Sequence, residues 1–120
     1  MSHPHLTTVA VLDADARELR AKTAALVRSP GVDIRISAGS LGELLTDPAF
    51  PTEVVILQQR AGERVSVNYK IRVCRLADAR VIVIAGTDAE GAVSADARVL
   101  SSSVVDFADA LALVTDPHPE

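Results

Sequence analysis

This sequence has little cysteine, few aromatics and no long apolar run. Its single cysteine, Cys74, excludes an intrachain disulfide and any cysteine-based zinc site. Tryptophan is missing and the aromatics are Phe50, Tyr69 and Phe107, too few for a base-stacking platform. Lys and Arg number 12 against 16 Asp and Glu, and a net charge of −4 argues against this domain gripping nucleic acid itself. No stretch approaches the roughly 18 apolar residues that span a bilayer, so no membrane partner is expected. Residues 1–8 lack a charged segment followed by an apolar one, so no signal peptide is expected and the cytoplasm is the default location. His3, His5 and His118 sit in the termini, where no scaffold would hold a metal or a catalytic pair.

What remains is a chain of 120 residues, 48% hydrophobic, whose core must be built from Val, Leu, Ile and Ala. The stretch that organises it is Glu53-Val54-Val55-Ile56-Leu57-Gln58, an apolar run between Pro51 and a polar segment. Such a run reads as a strand buried on both faces of a parallel sheet. A similar strand is expected at about 7–13, ending in Asp13, and another at Val81-Ile82-Val83-Ile84-Ala85. Val32, Ile34 and Ile36 alternate with Asp33, Arg35 and Ser37, the period of a half-buried strand near a sheet edge. Arg98-Val99-Leu100 is expected as a short last strand.

Helices are expected between the strands. Asp15 with Glu18 three residues on, and Ser40 with Glu43, are helix-start pairs; Ser103 with Asp106 is read as a third. The first helix buries Leu19, Thr23, Leu26 and Val27 and leaves Arg17, Arg20 and Lys22 to solvent, and Pro30-Gly31 stops it. Gln59 to Val65 is a polar loop, followed by a helix carrying Val67, Ile71, Val73, Cys74 and Leu76. Residues 86–97 read as a short helix, and Val104, Phe107, Leu111 and Val114 as the stripe of the last one. Five strand–helix repeats predict a flavodoxin-like (βα)5 three-layer sandwich, with a five-stranded parallel sheet in the order 2-1-3-4-5.

Over residues 7–114 the chain resembles the receiver domain of bacterial response regulators, particularly the NarL/LuxR-type group. The segments that carry the likeness are Val9 to Asp13, Pro51 to Gln58 and Asp78 to Ile84. The resemblance implies a pocket of two acids after the first strand for magnesium, a phosphoacceptor aspartate ending the third strand, a hydroxyl ending the fourth and a lysine ending the fifth. A hard cation wants carboxylate oxygens, and phosphoryl charge wants a cation. Set on these positions, the sequence keeps Asp13, has Ala14 for the second acid, and places Asp15 one residue late. Gln58 stands at the acceptor position, Ala85 at the hydroxyl position, Ser102 (or Ser103) at the lysine position, and Val99 where the family often has an aromatic. An amide cannot form an acyl phosphate, so the likeness implies a pseudo-receiver.

Plainer roles compete for the same residues. Asp15 as a helix cap and Asp13 as a solvated relic outweigh a weak cation site, and Gln58 is either a mimic of one fixed state or simply tolerated. Cys74 reads as a small core residue, Ser101-Ser102-Ser103 as a loop ending in a cap. The basic set Arg60, Arg64, Lys70, Arg72 and Arg75 reads as a solvated loop and helix face.

The expected function is a phosphorylation-independent regulatory domain of a transcriptional regulator, acting by homodimerisation through its last strand and helix. DNA would be touched only through a helix-turn-helix domain outside this chain, with 1–114 the receiver-like domain and 115–120 a tail or the start of a linker. The composition, rich in Ala, Val, Arg and Asp, suits an actinobacterial origin. The alternative is a small-molecule sensor with its ligand in the crevice lined by Asp13, Gln58, Ala85 and Ser102. No glycine-rich phosphate loop and no nucleophile–base pair is present, so catalysis, a cofactor and a metal are not expected.

Overall fold

A computed structural model describes residues 6–85 and 100–115. Its strands are β1 (Thr7–Leu12), β2 (Val32–Ala38), β3 (Val54–Gln58), β4 (Arg80–Ile84) and β5 (Ser101–Val104). They form one five-stranded sheet in the order β2-β1-β3-β4-β5, every neighbouring pair parallel. The described helices are α1 (Ala16–Val27), α2 (Leu41–Thr46), α3 (Val67–Leu76) and α4 (Phe107–Val114). This is the flavodoxin-like arrangement that the strand–helix alternation predicts. The expected helix at 86–97 and Val99 lie outside the described residues, as do the three histidines.

The side-chain period of two divides the core between the two faces of the sheet. Val9 and Val11, Val54 and Ile56, and Ile82 and Ile84 face one way, onto Leu26 of α1 and Ala110 and Val114 of α4. Ala10 and Leu12, Val55 and Leu57, and Val81 and Val83 face the other way, onto Leu41 and Leu44 of α2 and Ile71 and Cys74 of α3. Helices therefore cover both faces, which is why the central strands read as unbroken apolar runs.

The edges depart from the simple pattern. On β2 the pairing slips between Val9 and Ala10, which face Ile34 and Ile36. The extra residue is Arg35, and this bulge puts Val32 and Ile34 on the α1 side but Ile36 and Ala38 on the α2 side. Strict alternation along 32–37 does not survive it. β5 is the serine run: Ser101, Ser102, Ser103 and Val104 pair with Val81, Ile82, Val83 and Ile84, Leu100 precedes the strand, and the expected Arg98 and Val99 lie outside the described residues. An edge strand is asked mainly for backbone partners, so half-exposed hydroxyls suffice where a central strand needs apolar groups.

Helix starts follow capping chemistry. Asp15 Oδ1 accepts from Glu18 N (2.9 Å), Ser40 Oγ from Glu43 N (3.2 Å) and Ser66 Oγ from Tyr69 N (3.1 Å). Because β5 runs on to Val104, the last helix starts later than Ser103: Asp106 is its cap, accepting from Asp109 N at 3.0 Å. Gly31, with φ of +80°, turns the chain from α1 into β2, as Pro30-Gly31 suggested. Among the described residues no helix is long and apolar enough to cross a membrane.

Candidate functional site

Parallel register brings the ends of the strands level at the carboxyl edge of the sheet. Leu12 pairs with Leu57, so Asp13 follows β1 beside Gln58, the last residue of β3. Gln58 pairs with Ile84, so Ala85 follows β4 one step further on. Ala85 N donates to Val104 O at 2.9 Å, which places the end of β5 beside it. Asp13, Gln58 and Ala85 thus share one edge. Ser102 does not: it stands inside β5 opposite Ile82, and the carboxyl end of that strand is Val104, followed by exposed Val105. Ser102 and Ser103, set at the lysine position beyond the last strand, stand inside it, opposite Ile82 and Val83.

Asp13 is the centre of the site, and it is no solvated relic. Only 1% of it is exposed. Its Oδ2 accepts from Lys22 Nζ at 2.8 Å and from Arg60 Nη2 at 2.9 Å; its Oδ1 accepts from Arg60 Nε at 2.5 Å and Asp15 N at 2.9 Å. The guanidinium grips the carboxylate through a two-point fork. Burial by itself pushes the Asp13 carboxyl up, but the hydrogen bonds from Arg60, Lys22 and the Asp15 amide, with the Lys22 charge, outweigh it and hold the carboxyl below its ordinary value. The Asp13 hydrogen bond raises the Arg60 guanidinium above its own ordinary value in spite of partial burial, and the charges of Asp13, Asp15 and Glu18 add to this.

Each partner arrives for a reason readable in local structure. Lys22 lies on the inward stripe of α1 with Leu19 and Leu26, three and four residues apart, rather than on the solvent face expected for it. Its side chain is buried and its ammonium reaches Asp13, with Glu18 Oε1 further off at 3.7 Å. Val27, expected inside, is exposed instead. Arg60 comes from the β3–α3 loop, two residues past Gln58. That loop is tied a second time, by Lys70 Nζ on Glu63 Oε2 at 3.0 Å, with Lys70 buried in the α3 stripe beside Val67, Ile71 and Cys74. The basic set is therefore not one solvated face. Arg64 and Arg72 are exposed, but Arg60 and Lys70 are spent on ion pairs, and Arg75 Nη1 donates to Ala79 O at 3.1 Å.

Gln58 is half-buried, and its amide Nε2 donates to Gln59 O (3.2 Å) and Ile84 O (3.4 Å). A hollow of about 220 Å³ opens along the β3–α3 loop, bordered by Arg60, Gly62, Glu63, Ser66 and Asn68. The crevice residues Asp13, Gln58, Ala85 and Ser102 do not line it.

These residues do not fit a divalent cation. Both oxygens of Asp13 are already bonded to cations, Ala14 offers no oxygen from its side chain, Asp15 Oδ1 is engaged in capping α1, and Gln58 is neutral. Among the described residues, no group of three or more His, Cys, Asp or Glu gathers as a metal would need.

No family model matches the chain, and no curated protein is detectably similar to it in sequence. In three dimensions it is similar to the crystal structure of a response regulator receiver domain protein from Clostridium thermocellum, with a TM-score of 0.63 and 18% identity over 91% of each chain. That likeness establishes the receiver-type fold. The side chains at the carboxyl edge carry any argument about function.

Proposed function

We propose that this chain is a regulatory, non-catalytic receiver-like domain that works without phosphorylation, as part of a cytoplasmic transcriptional regulator. The observation that carries this reading is Gln58, an amide at the carboxyl end of the central strand, where the fold would put a phosphoacceptor. A carboxamide is a poor nucleophile towards phosphorus and has no carboxylate to form an acyl phosphate. Ala85 brings no hydroxyl to the same edge, and β5 ends in Val104 with no lysine to bind an added phosphate.

Output through homodimerisation is the mode the surface favours. β5 is the edge of the sheet, Val105 beyond it is 78% exposed, and Phe107 and Leu111 of α4 are only partly covered by described residues. DNA contact would belong to a helix-turn-helix domain outside this chain, of the kind NarL/LuxR-type regulators carry, and an actinobacterial source agrees with the composition. The alternative is a small-molecule sensor with its ligand at the edge shared by Asp13, Gln58 and Ala85; the hollow along the β3–α3 loop is a separate feature.

The test is native mass spectrometry after incubation with acetyl phosphate and Mg²⁺. The expected spectrum shows no added phosphoryl group and a dimer fraction that grows with protein concentration and shrinks in Val105→Glu. A stoichiometric, acid-labile adduct refutes phosphorylation independence; a monomer at all concentrations refutes dimerisation. A shift in melting temperature caused by a metabolite, without a change in mass distribution, favours the sensor.

A further inference from the structure

We propose that Lys22 and Arg60 are resident cations, standing beside Asp13 where a divalent ion would otherwise be held. The inference deepens the reading above and rests on it for the identity of the pocket. Three separate parts of the chain converge on one carboxylate: Asp13 after β1, Lys22 from α1 and Arg60 from the β3–α3 loop. Lys22 is 6% exposed in a stripe where helical spacing calls for an apolar residue. A buried ammonium survives there only because a carboxylate compensates it. Arg60 closes the remaining positions of that carboxylate with its two-point fork. An entering divalent ion would have to displace both cations and then face their charge, with Asp15 Oδ1 engaged in capping α1 and Gln58 contributing no charge.

Two consequences follow from this arrangement. The pocket carries its positive charge covalently, so no change in free divalent ion alters it. The β3–α3 loop is also permanently fastened to β1 by Arg60, and again to α3 through Glu63 and Lys70. In a switch that loads a metal, the cation comes and goes; here it is part of the sequence, and the β3–α3 loop is tied to the end of β1 by it.

Paramagnetic line broadening by Mn²⁺, read on the backbone amides of Asp13, Ala14 and Asp15 at constant ionic strength, tests the proposal. The series is wild type, Arg60→Gln and Lys22→Met/Arg60→Gln, each checked for a dispersed amide spectrum. The expected result is no selective broadening in the wild type and progressively tighter Mn²⁺ binding as the cations are removed, by about tenfold per step, within the range over which neighbouring groups shift metal affinity. Selective broadening in the wild type, or an unchanged response across the series, overturns the proposal. Should the double variant not fold, the comparison of wild type with Arg60→Gln decides alone, since the Arg60 side chain is 32% exposed and its loss leaves Lys22 on Asp13. A phosphoryl adduct with a silent Mn²⁺ titration would sink the proposed function and leave this inference standing. Mn²⁺ uptake without an adduct would do the reverse.

Discussion

Replacing Asp13 with alanine is the sharpest test of how this domain is held together. The change deletes a carboxylate that is 1% exposed and strands a lysine that is 6% exposed. Glu18, at 3.7 Å from Lys22 Nζ and with a side chain 55% exposed, is a weak substitute partner. Removing one member of a buried pair costs about 3–5 kcal/mol, because the other charge is left without compensation. Arg60 loses its partner too, but it is partly solvated and adds less. Against a total stability of ~5–15 kcal/mol for a domain, such a loss is large. With a urea slope of ~1.5 kcal/mol/M, about 4 kcal/mol lowers the unfolding midpoint by ~2.7 M. The assay is urea denaturation followed by far-ultraviolet circular dichroism, with the slope checked for constancy. Arg60→Ala, which leaves Lys22 and the Asp15 amide on the carboxylate, should cost roughly 1.5–3 kcal/mol, the range for a hydrogen bond to a charged group. The pH dependence has a definite sign. The folded-state value of Asp13 lies below its ordinary 3.8, so its stabilisation is present at pH values well above 3.8, and it is lost progressively as pH falls through 3.8 and on through the folded-state value. Asp13→Ala should flatten that acid limb. A loss under ~1 kcal/mol at neutral pH, the scale of an exposed ion pair, would refute the buried pair.

Further expectations are independent of that pair. Asp15→Ala removes the α1 cap and should cost about 1 kcal/mol in the same urea assay, while Glu18→Gln leaves the cap intact. Asp78 follows α3 with φ of +67°, so Asp78→Gly should raise stability by up to ~1 kcal/mol, read as a higher melting temperature. Burial pushes the Cys74 thiol up to about 11, and its side chain is fully enclosed. It should therefore resist a thiol-specific reagent in the native state and react promptly in denaturant. Gln58→Asp alone should still take no phosphoryl group from acetyl phosphate by intact-mass measurement, since the cations on Asp13 remain; a stoichiometric adduct would contradict their role.

The central strands were legible because burial on both faces leaves an unmistakable mark. Val54 to Leu57 and Val81 to Ile84 are apolar at every position, and no helix of that length needs to be. Asp15 and Ser40 were legible as caps because a short oxygen-bearing side chain ahead of an acid is a local device. The edges were harder. Nothing in the sequence marks Arg35 as the extra residue of a bulge, and a serine run resembles a loop until β4 offers it a ladder. Ser102 and Ser103, read as lying beyond the strand, are part of its ladder.

Helix faces failed at the lysines for a related reason. Lys22 and Lys70 hold positions that helical spacing assigns to the interior, but charge argues for solvent, and composition alone favours charge. The one clue was their spacing from Leu19, Leu26, Val67 and Cys74.

By itself the sequence determined the alternation of strands and helices, the parallel order that follows from it, and the amide at the end of β3. All of these depend on side-chain period and neighbours within a few residues. Only the tertiary structure decided that Asp13 is buried, because its partners lie nine and 47 residues away and meet it solely when β1, α1 and the β3–α3 loop pack together. Local pattern fixes elements, whereas a charge can be buried only where distant chain segments supply its counter-charge.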